Sequence, residues 1–317
     1  MVKPLFHFRT VAILLLLFSS SAFAWGPAHV PMTEAAFRVQ SPEFRARFSK
    51  TFVDRDGQGR TAQWLLSHRF SMHPDAVDGP CRNEKDIPER LRATQFVYAE
   101  RDGKFMPPIA YSDPDKASKG PRPKTYHYFM LKTEELNRAF AEAGARWYFK
   151  RIALAFKEGR NLDAAEYLGA FAHAIEDRVS PYHVWDGYAD QREALENEFP
   201  ELQEPEGSWK GNPSSASLIW ALDGRGVEVD LVLYEPKRLG ANLDEAAGKF
   251  TARLFQSREH ARKVYSRKNG FIATHLKDDW KNRRAGKATI EIMSEVSEEN
   301  AKLVADVMRT AWEFSQD

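Results

Sequence analysis

From Asn161 to Asp177 the apolar residues Leu162, Ala165, Leu168, Ala172 and Ile175 recur at helical spacing, which predicts a helix with one face turned to a core. His173 and Asp177 stand four residues apart and so leave the same helical face. Ser180-Pro181 then ends the helix, because proline has no N–H to donate and restricts the residue before it. His183 follows just past this break, close enough to fold back toward the same point. Two imidazoles and a carboxylate converging on one spot form a transition-metal ligand set, and Zn²⁺ suits that nitrogen and oxygen mix best. A histidine at a helix end is also commonly a hydrogen-bonded core or surface residue, so the pair alone does not define a ligand set.

The N-terminus adds to the pattern. Residues 1–24 read as a secretory signal peptide: Lys3 and Arg9 supply positive charge, Val11 to Phe18 form a short apolar run, and Ala22-Phe23-Ala24 is an A-x-A cleavage site. The run is too short for a permanent membrane span. The expectation is an exported protein, periplasmic or secreted, with a mature chain beginning Trp25-Gly26. Cleavage there frees the α-amino group of Trp25, and an amine with its adjacent carbonyl can chelate a metal in a five-membered ring. His29 lies four residues on.

Composition excludes some classes. With 46 Lys and Arg against 45 Asp and Glu, bulk charge does not predict a nucleic-acid protein. Cys81 is the single cysteine, so no intramolecular disulfide can form even after export. Stability must come from the core, to which a bound metal could add.

Helical patterns are expected at about Thr33–Phe48, with Thr33 as cap, Thr61–Phe70, Ile87–Tyr98, Thr133–Lys157, Asp190–Phe199, Leu243–Tyr265 and Ala285–Phe314. Asp102 to Lys124 carries five prolines and reads as a long surface insertion, and residues 204–217 read as loop. Val227 to Leu233 is open to a short strand. No internal repeat is present. The fold class expected is all-α: a single helical domain over residues 25–317.

Taken in order, Trp25 with His29, Pro74-Asp75-x-x-Asp78, His127-Tyr-Phe, and Tyr167-Leu-Gly-x-x-x-His173-x-x-x-Asp177-x-x-x-Pro181-Tyr182-His183 resemble the zinc-dependent phospholipase C family of bacteria, itself related to the single-strand-specific zinc nucleases. The resemblance spans most of the mature chain and implies a helical catalytic domain holding two or three Zn²⁺ ions. It implies that Trp25, His29 and Asp177 hold one zinc, that Asp75, His127, His173 and a bridging Asp177 hold a second, and that His183 begins a third site. It further implies that Asp75 orients the attacking water, which the shared metals acidify.

The third site departs from the family pattern. Arg192 stands where a histidine belongs, with Glu196 at the carboxylate place; arginine stays protonated and is no ordinary ligand. Glu196 and the pair His275/Asp279 remain alternatives for completing it, as does a chain that binds only two zincs tightly. His68, His73 and His260 read as structural or surface residues.

Three functions stay open. The first is a phospholipase C cleaving phospholipid at a membrane surface to diacylglycerol and a phosphorylated head group. The second is a single-strand nuclease or 3′-nucleotidase, in which nucleic acid becomes the substrate. That branch usually carries Gly-Asp and Gln-Pro-Leu-His where this chain has Glu176-Asp177 and Ser180-Pro181-Tyr182-His183, which favours the lipase side. The third is a non-enzymatic envelope protein retaining the scaffold.

Overall fold

The computed structural model describes residues 26–54, 57–72, 96–97, 100–101, 104–105, 109–110, 134–181, 184, 224–265 and 285–317. These are mostly helical. In chain order they form α1 (Gly26–Arg38), α2 (Pro42–Ala46), β1 (Thr51–Val53), β2 (Gly59–Thr61) and α3 (Ala62–Leu65), which runs into a π-helical turn at Leu66–Phe70. Four two-residue strands follow, β3 (Phe96–Val97), β4 (Glu100–Arg101), β5 (Lys104–Phe105) and β6 (Ile109–Ala110). The long helices α4 (Glu134–Lys157), α5 (Asn161–Glu176), α6 (Leu243–Tyr265) and α7 (Lys287–Gln316) complete the set. The strands pair antiparallel as β1–β2, β3–β6 and β4–β5.

α7 is the longest element at 30 residues and lies against α1, α4, α5 and α6. Its inner stripe of Met293, Val296, Leu303, Val304, Val307, Met308 and Ala311 repeats at three and four residues, the spacing that keeps one helical face in a core. α4 ends where Gly159 takes a φ of 69°, and the Arg160 N–H turns back to the Ala155 carbonyl at 2.8 Å, a glycine-terminated cap. Phe44, Phe48, Phe156 and Trp312 meet largely edge to face, with centroids 5.0–6.1 Å apart, and fix α2 against α4 and α7.

α5 is the buried helix of the set. From Ala164 to Glu176 every residue except Tyr167 is buried, because α1, α3 with its π turn, α4 and α7 surround it. A helix covered on all sides is expected to be apolar all round. α5 meets that with Ala164, Ala165, Ala170, Ala172 and Ala174; Glu166 breaks the rule once early on, and His173, Glu176 and Asp177 break it together at the end. Small residues also let neighbours come close. A Cβ placed on Gly169 would lie 2.4 Å from Phe70 Cβ and 2.8 Å from the Ser71 nitrogen, so the π turn seats directly on that glycine. The helix end is tied down from outside: Asn300 Nδ2 donates to the Ile175 carbonyl at 3.0 Å, and the Tyr265 hydroxyl to the Val179 carbonyl at 3.0 Å.

Four sequence expectations need correction. Thr33 does not cap a helix; α1 begins at Gly26 and carries Thr33 in its interior, since Pro27 sits in the first turn where no donor is needed and Pro31 removes only one internal bond. The expected 33–48 helix breaks at Ser41, whose hydroxyl caps α2 ahead of Pro42. Phe96–Val97 is strand rather than the tail of a helix, and it pairs with Ile109–Ala110 inside the expected insertion. Residues 227–233 form no strand. Val227, Val229 and Leu231 are buried at alternate positions, but the Val227 N–H bonds to the Gly224 carbonyl, the Val232 N–H to Asp230 Oδ1 at 2.9 Å, and three others of this stretch and its continuation bond to α7 side chains. Glu228 donates to Ser294 Oγ at 3.0 Å, Lys237 to Asp306 and Leu239 to Thr310 Oγ1 at 2.9 Å. The 190–199 helix and the 204–217 loop lie outside the described residues.

Replacing Gly169 with alanine is expected to lower the unfolding free energy by about 1–3 kcal/mol, the usual cost of forcing volume into a close-packed contact. Denaturant titration measures it, and an unchanged midpoint would contradict the close seating of the π turn on α5.

Candidate metal centre

His29 on α1 and His173 and Asp177 at the end of α5 come together in the core, exposed by 0 %, 0 % and 1 %. Each offers a ligand atom, and the three atoms lie within 4.8 Å of one another, so the group could hold a metal ion. The two imidazoles stack with centroids 4.2 Å apart and planes 26° off parallel. Asp177 faces both: Oδ1 lies 3.4 Å from His29 Nε2 and Oδ2 lies 3.1 Å from His173 Nε2. One oxygen per ring is the disposition of a carboxylate able to span two cations, and equally of one clamped on a single cation.

The opposite nitrogen of each ring is engaged elsewhere. His173 Nδ1 lies 2.6 Å from the Ser71 carbonyl. A carbonyl only accepts, so Nδ1 carries the hydrogen, and Nε2 is the nitrogen that faces Asp177. His29 Nδ1 donates to Glu176 Oε2 at 2.8 Å, and the Thr33 hydroxyl donates to Glu176 Oε1 at 2.7 Å. Both rings therefore present Nε2 to the same spot, held from behind by a backbone carbonyl and by a carboxylate. This is how metal-ligating histidines are usually oriented. His29 Nε2 faces Asp177 Oδ1 at 3.4 Å, so a cation held there would sit between the ring and the carboxylate in place of the proton. Two imidazoles and one carboxylate are the donor set of a borderline ion such as Zn²⁺, so the residues present fit the metal.

The electrostatics follow from burial. Loss of water disfavours a charged imidazole, yet the carboxylates of Asp177 and Glu176, one beside each ring nitrogen, outweigh it and push His29 up to about 10. In the metal-free protein His29 is thus a cation at neutral pH, and a metal must displace its proton.

The fold explains why these side chains meet. His29 and Thr33 lie one turn apart on α1, and Asp177, first residue of the 3-10 turn that continues α5, lies one turn past His173, so two i, i+4 faces oppose each other. The π turn after α3 delivers the Ser71 carbonyl, and its close seating on Gly169 is one turn before His173. Of the residues expected from the sequence, His29, His173 and Asp177 are brought together. Trp25, Asp75, His127, His183, Glu196, His275 and Asp279 lie outside the described residues. His68 stacks on Trp64 at 4.7 Å with Glu34 3.8 Å away, and it has no part in the group. The sequence reading missed Glu176, Thr33 and the Ser71 carbonyl. Thr33 four past His29 was a readable signal; a backbone carbonyl gives none.

No protein-family model, no curated protein and no solved structure matches the chain. Among the described residues no helix is long and apolar enough to cross a membrane.

His29 sets a pH signature for the metal-free protein. Its pKa is raised on folding, so its contribution is fully present below about pH 6.5, the ordinary histidine value, and fades as pH rises through about 10. Unfolding titrations of wild type and His29→Gln across that window are expected to show a stability gap that narrows as pH rises. A gap that is constant with pH would show that the ring is not charged in the folded state.

Proposed function

We propose that the chain is a zinc-dependent phosphodiester hydrolase, and specifically a phospholipase C that cleaves phospholipid to diacylglycerol and a phosphorylated head group. The observation that carries the reading is the buried meeting of His29, His173 and Asp177, with one Asp177 oxygen toward each imidazole. The ordered sequence pieces that resemble the zinc-dependent phospholipase C family include these three residues, with Asp177 in the bridging place.

When bound, Zn²⁺ supplies Lewis acidity toward phosphoryl oxygens and acidifies a water. The chain's own residues do the remaining work. His29 and His173 would hold the metal through Nε2, and Asp177 would hold it through its carboxylate. Burial keeps bulk water from these ligands, so their charge acts at low dielectric. Trp25 through its amine and carbonyl, and Asp75 and His127, complete the proposed ligand set, with Asp75 also orienting the attacking water. His183 and Glu196, or His275 with Asp279, are the proposed third site. Export places such an enzyme where it meets phospholipid at a membrane surface.

The test pairs metal content with two substrates. Protein purified without chelators is expected to carry zinc by mass spectrometry and to release phosphorylated head group from phosphatidylcholine vesicles. Asp177→Asn is expected to lose most of the zinc and to lower the rate at least about a hundredfold, since metal charge stabilisation is worth several kcal/mol. Nucleotide release from single-stranded DNA without lipid turnover would reassign the enzyme to the nuclease branch. Zinc without either activity would leave a metal-holding envelope protein, and unchanged zinc and rate in Asp177→Asn would remove the proposal.

A further inference from the structure

The geometry points to Glu176 as the positioning residue of the metal centre: from outside the ligand set it fixes the ring of His29 and adds a negative charge beside the cation. This inference rests on the metal reading above and goes beyond its ligands. Glu176 is fully buried, and a carboxylate is not left there without partners. Both of its oxygens are committed, Oε2 to His29 Nδ1 at 2.8 Å and Oε1 to the Thr33 hydroxyl at 2.7 Å. It therefore acts on the ring's far side and is not itself a ligand.

The placement makes the arrangement rigid. α1 carries both the ligand His29 and, one turn on, the hydroxyl that anchors the group holding that ligand. α5 supplies Glu176 next to Asp177, so the orienting carboxylate and the ligating one share a backbone. The two imidazoles are consequently unequal. His173 leans on a neutral carbonyl, the Ser71 oxygen at 2.6 Å, whereas His29 leans on a charged acceptor. A carboxylate behind the ring makes imidazole a more basic ligand, and at low dielectric its charge draws a dication. Glu176 then strengthens the hold on a cation through His29, with no such charged support behind His173. The alternative is that Glu176 merely pins α1 to α5.

Zinc affinity of the metal-stripped full chain, measured by competition with a chromophoric chelator, separates the two. Glu176→Gln keeps the shape and an acceptor oxygen but removes the charge, and it is expected to weaken zinc roughly 10–100-fold, the range found for groups that orient metal-ligating histidines. Thr33→Val lets the carboxylate turn and is expected to weaken it by a smaller factor. Cobalt in place of zinc gives a second readout, its visible bands shifting in both variants. A purely structural Glu176 would move the unfolding midpoint and leave affinity and bands alone, and affinity within twofold of wild type with an unchanged cobalt spectrum overturns the inference. If Glu176→Gln fails to fold, Thr33→Val decides by the same two readouts. Asp177→Asn serves as ligand control. Wild-type zinc affinity in that variant would sink the metal reading itself, whereas its loss together with unaltered Glu176→Gln would sink only the role of Glu176.

Discussion

Two successive carboxylates, Glu176 and Asp177, are held in the protein interior at the end of a helix that is otherwise nearly all apolar. That is the constraint on which the rest of the centre depends. Removing a carboxylate from water costs several kcal/mol even after relaxation, and the cost is offset only by good partners. The fold supplies them from two directions: His29 and Thr33 from α1, and His173 from one turn earlier on α5, around a spot that could hold a metal ion. The surrounding packing serves this end. α7 binds the last carbonyls of α5 through Asn300, and α6 binds the following turn through Tyr265, so the carboxylates stand on a fixed backbone.

The small residues of α5 belong to the same logic. A helix that must bring α1, a π turn, α4 and α7 to its surface needs short side chains on most sides. Its run of alanines and Gly169 provides them, and the result is a backbone close enough for the Ser71 carbonyl to reach His173. A bulkier helix could have been equally apolar and would have kept that carbonyl away. The geometry of His173 is set in part by a residue with no side chain, four positions upstream.

How much of this was legible follows from the kind of signal each feature leaves. α4, α5, α6 and α7 were readable because their apolar periods run over 16 to 30 residues, long enough to outweigh local ambiguity. His173 and Asp177 were readable as one helical face, and His29 from its place after Trp25. Thr33 was misread as a cap because threonine ahead of an apolar run has that signature, while the helix had begun before two prolines that usually argue against one. Residues 227–233 do alternate as a strand would. The Glu228 N–H bonds to a serine side chain of α7, and further on Lys237 and Leu239 bond to its aspartate and threonine; side-chain acceptors leave no period in the strand's own sequence. The Ser71 carbonyl could not be read at all, since every residue has one.

A buried polar network of this kind is weak support for stability, because well-packed apolar residues of the same volume generally do as well or better. The same helix pair could be joined through leucine and phenylalanine, as α2 is joined to α4 and α7 by Phe44, Phe48, Phe156 and Trp312. Where apolar packing would suffice, two carboxylates and two imidazoles with their inward-facing nitrogens aligned indicate a requirement other than holding the helices together. Binding a cation is such a requirement. It turns the unfavourable desolvation of Asp177 and Glu176 into stored attraction, already oriented before the ion arrives. Stability and affinity are then coupled, since whatever displaces the proton on His29 inherits the field that raised its pKa. An ion that bound the centre would therefore also add to the stability of the fold.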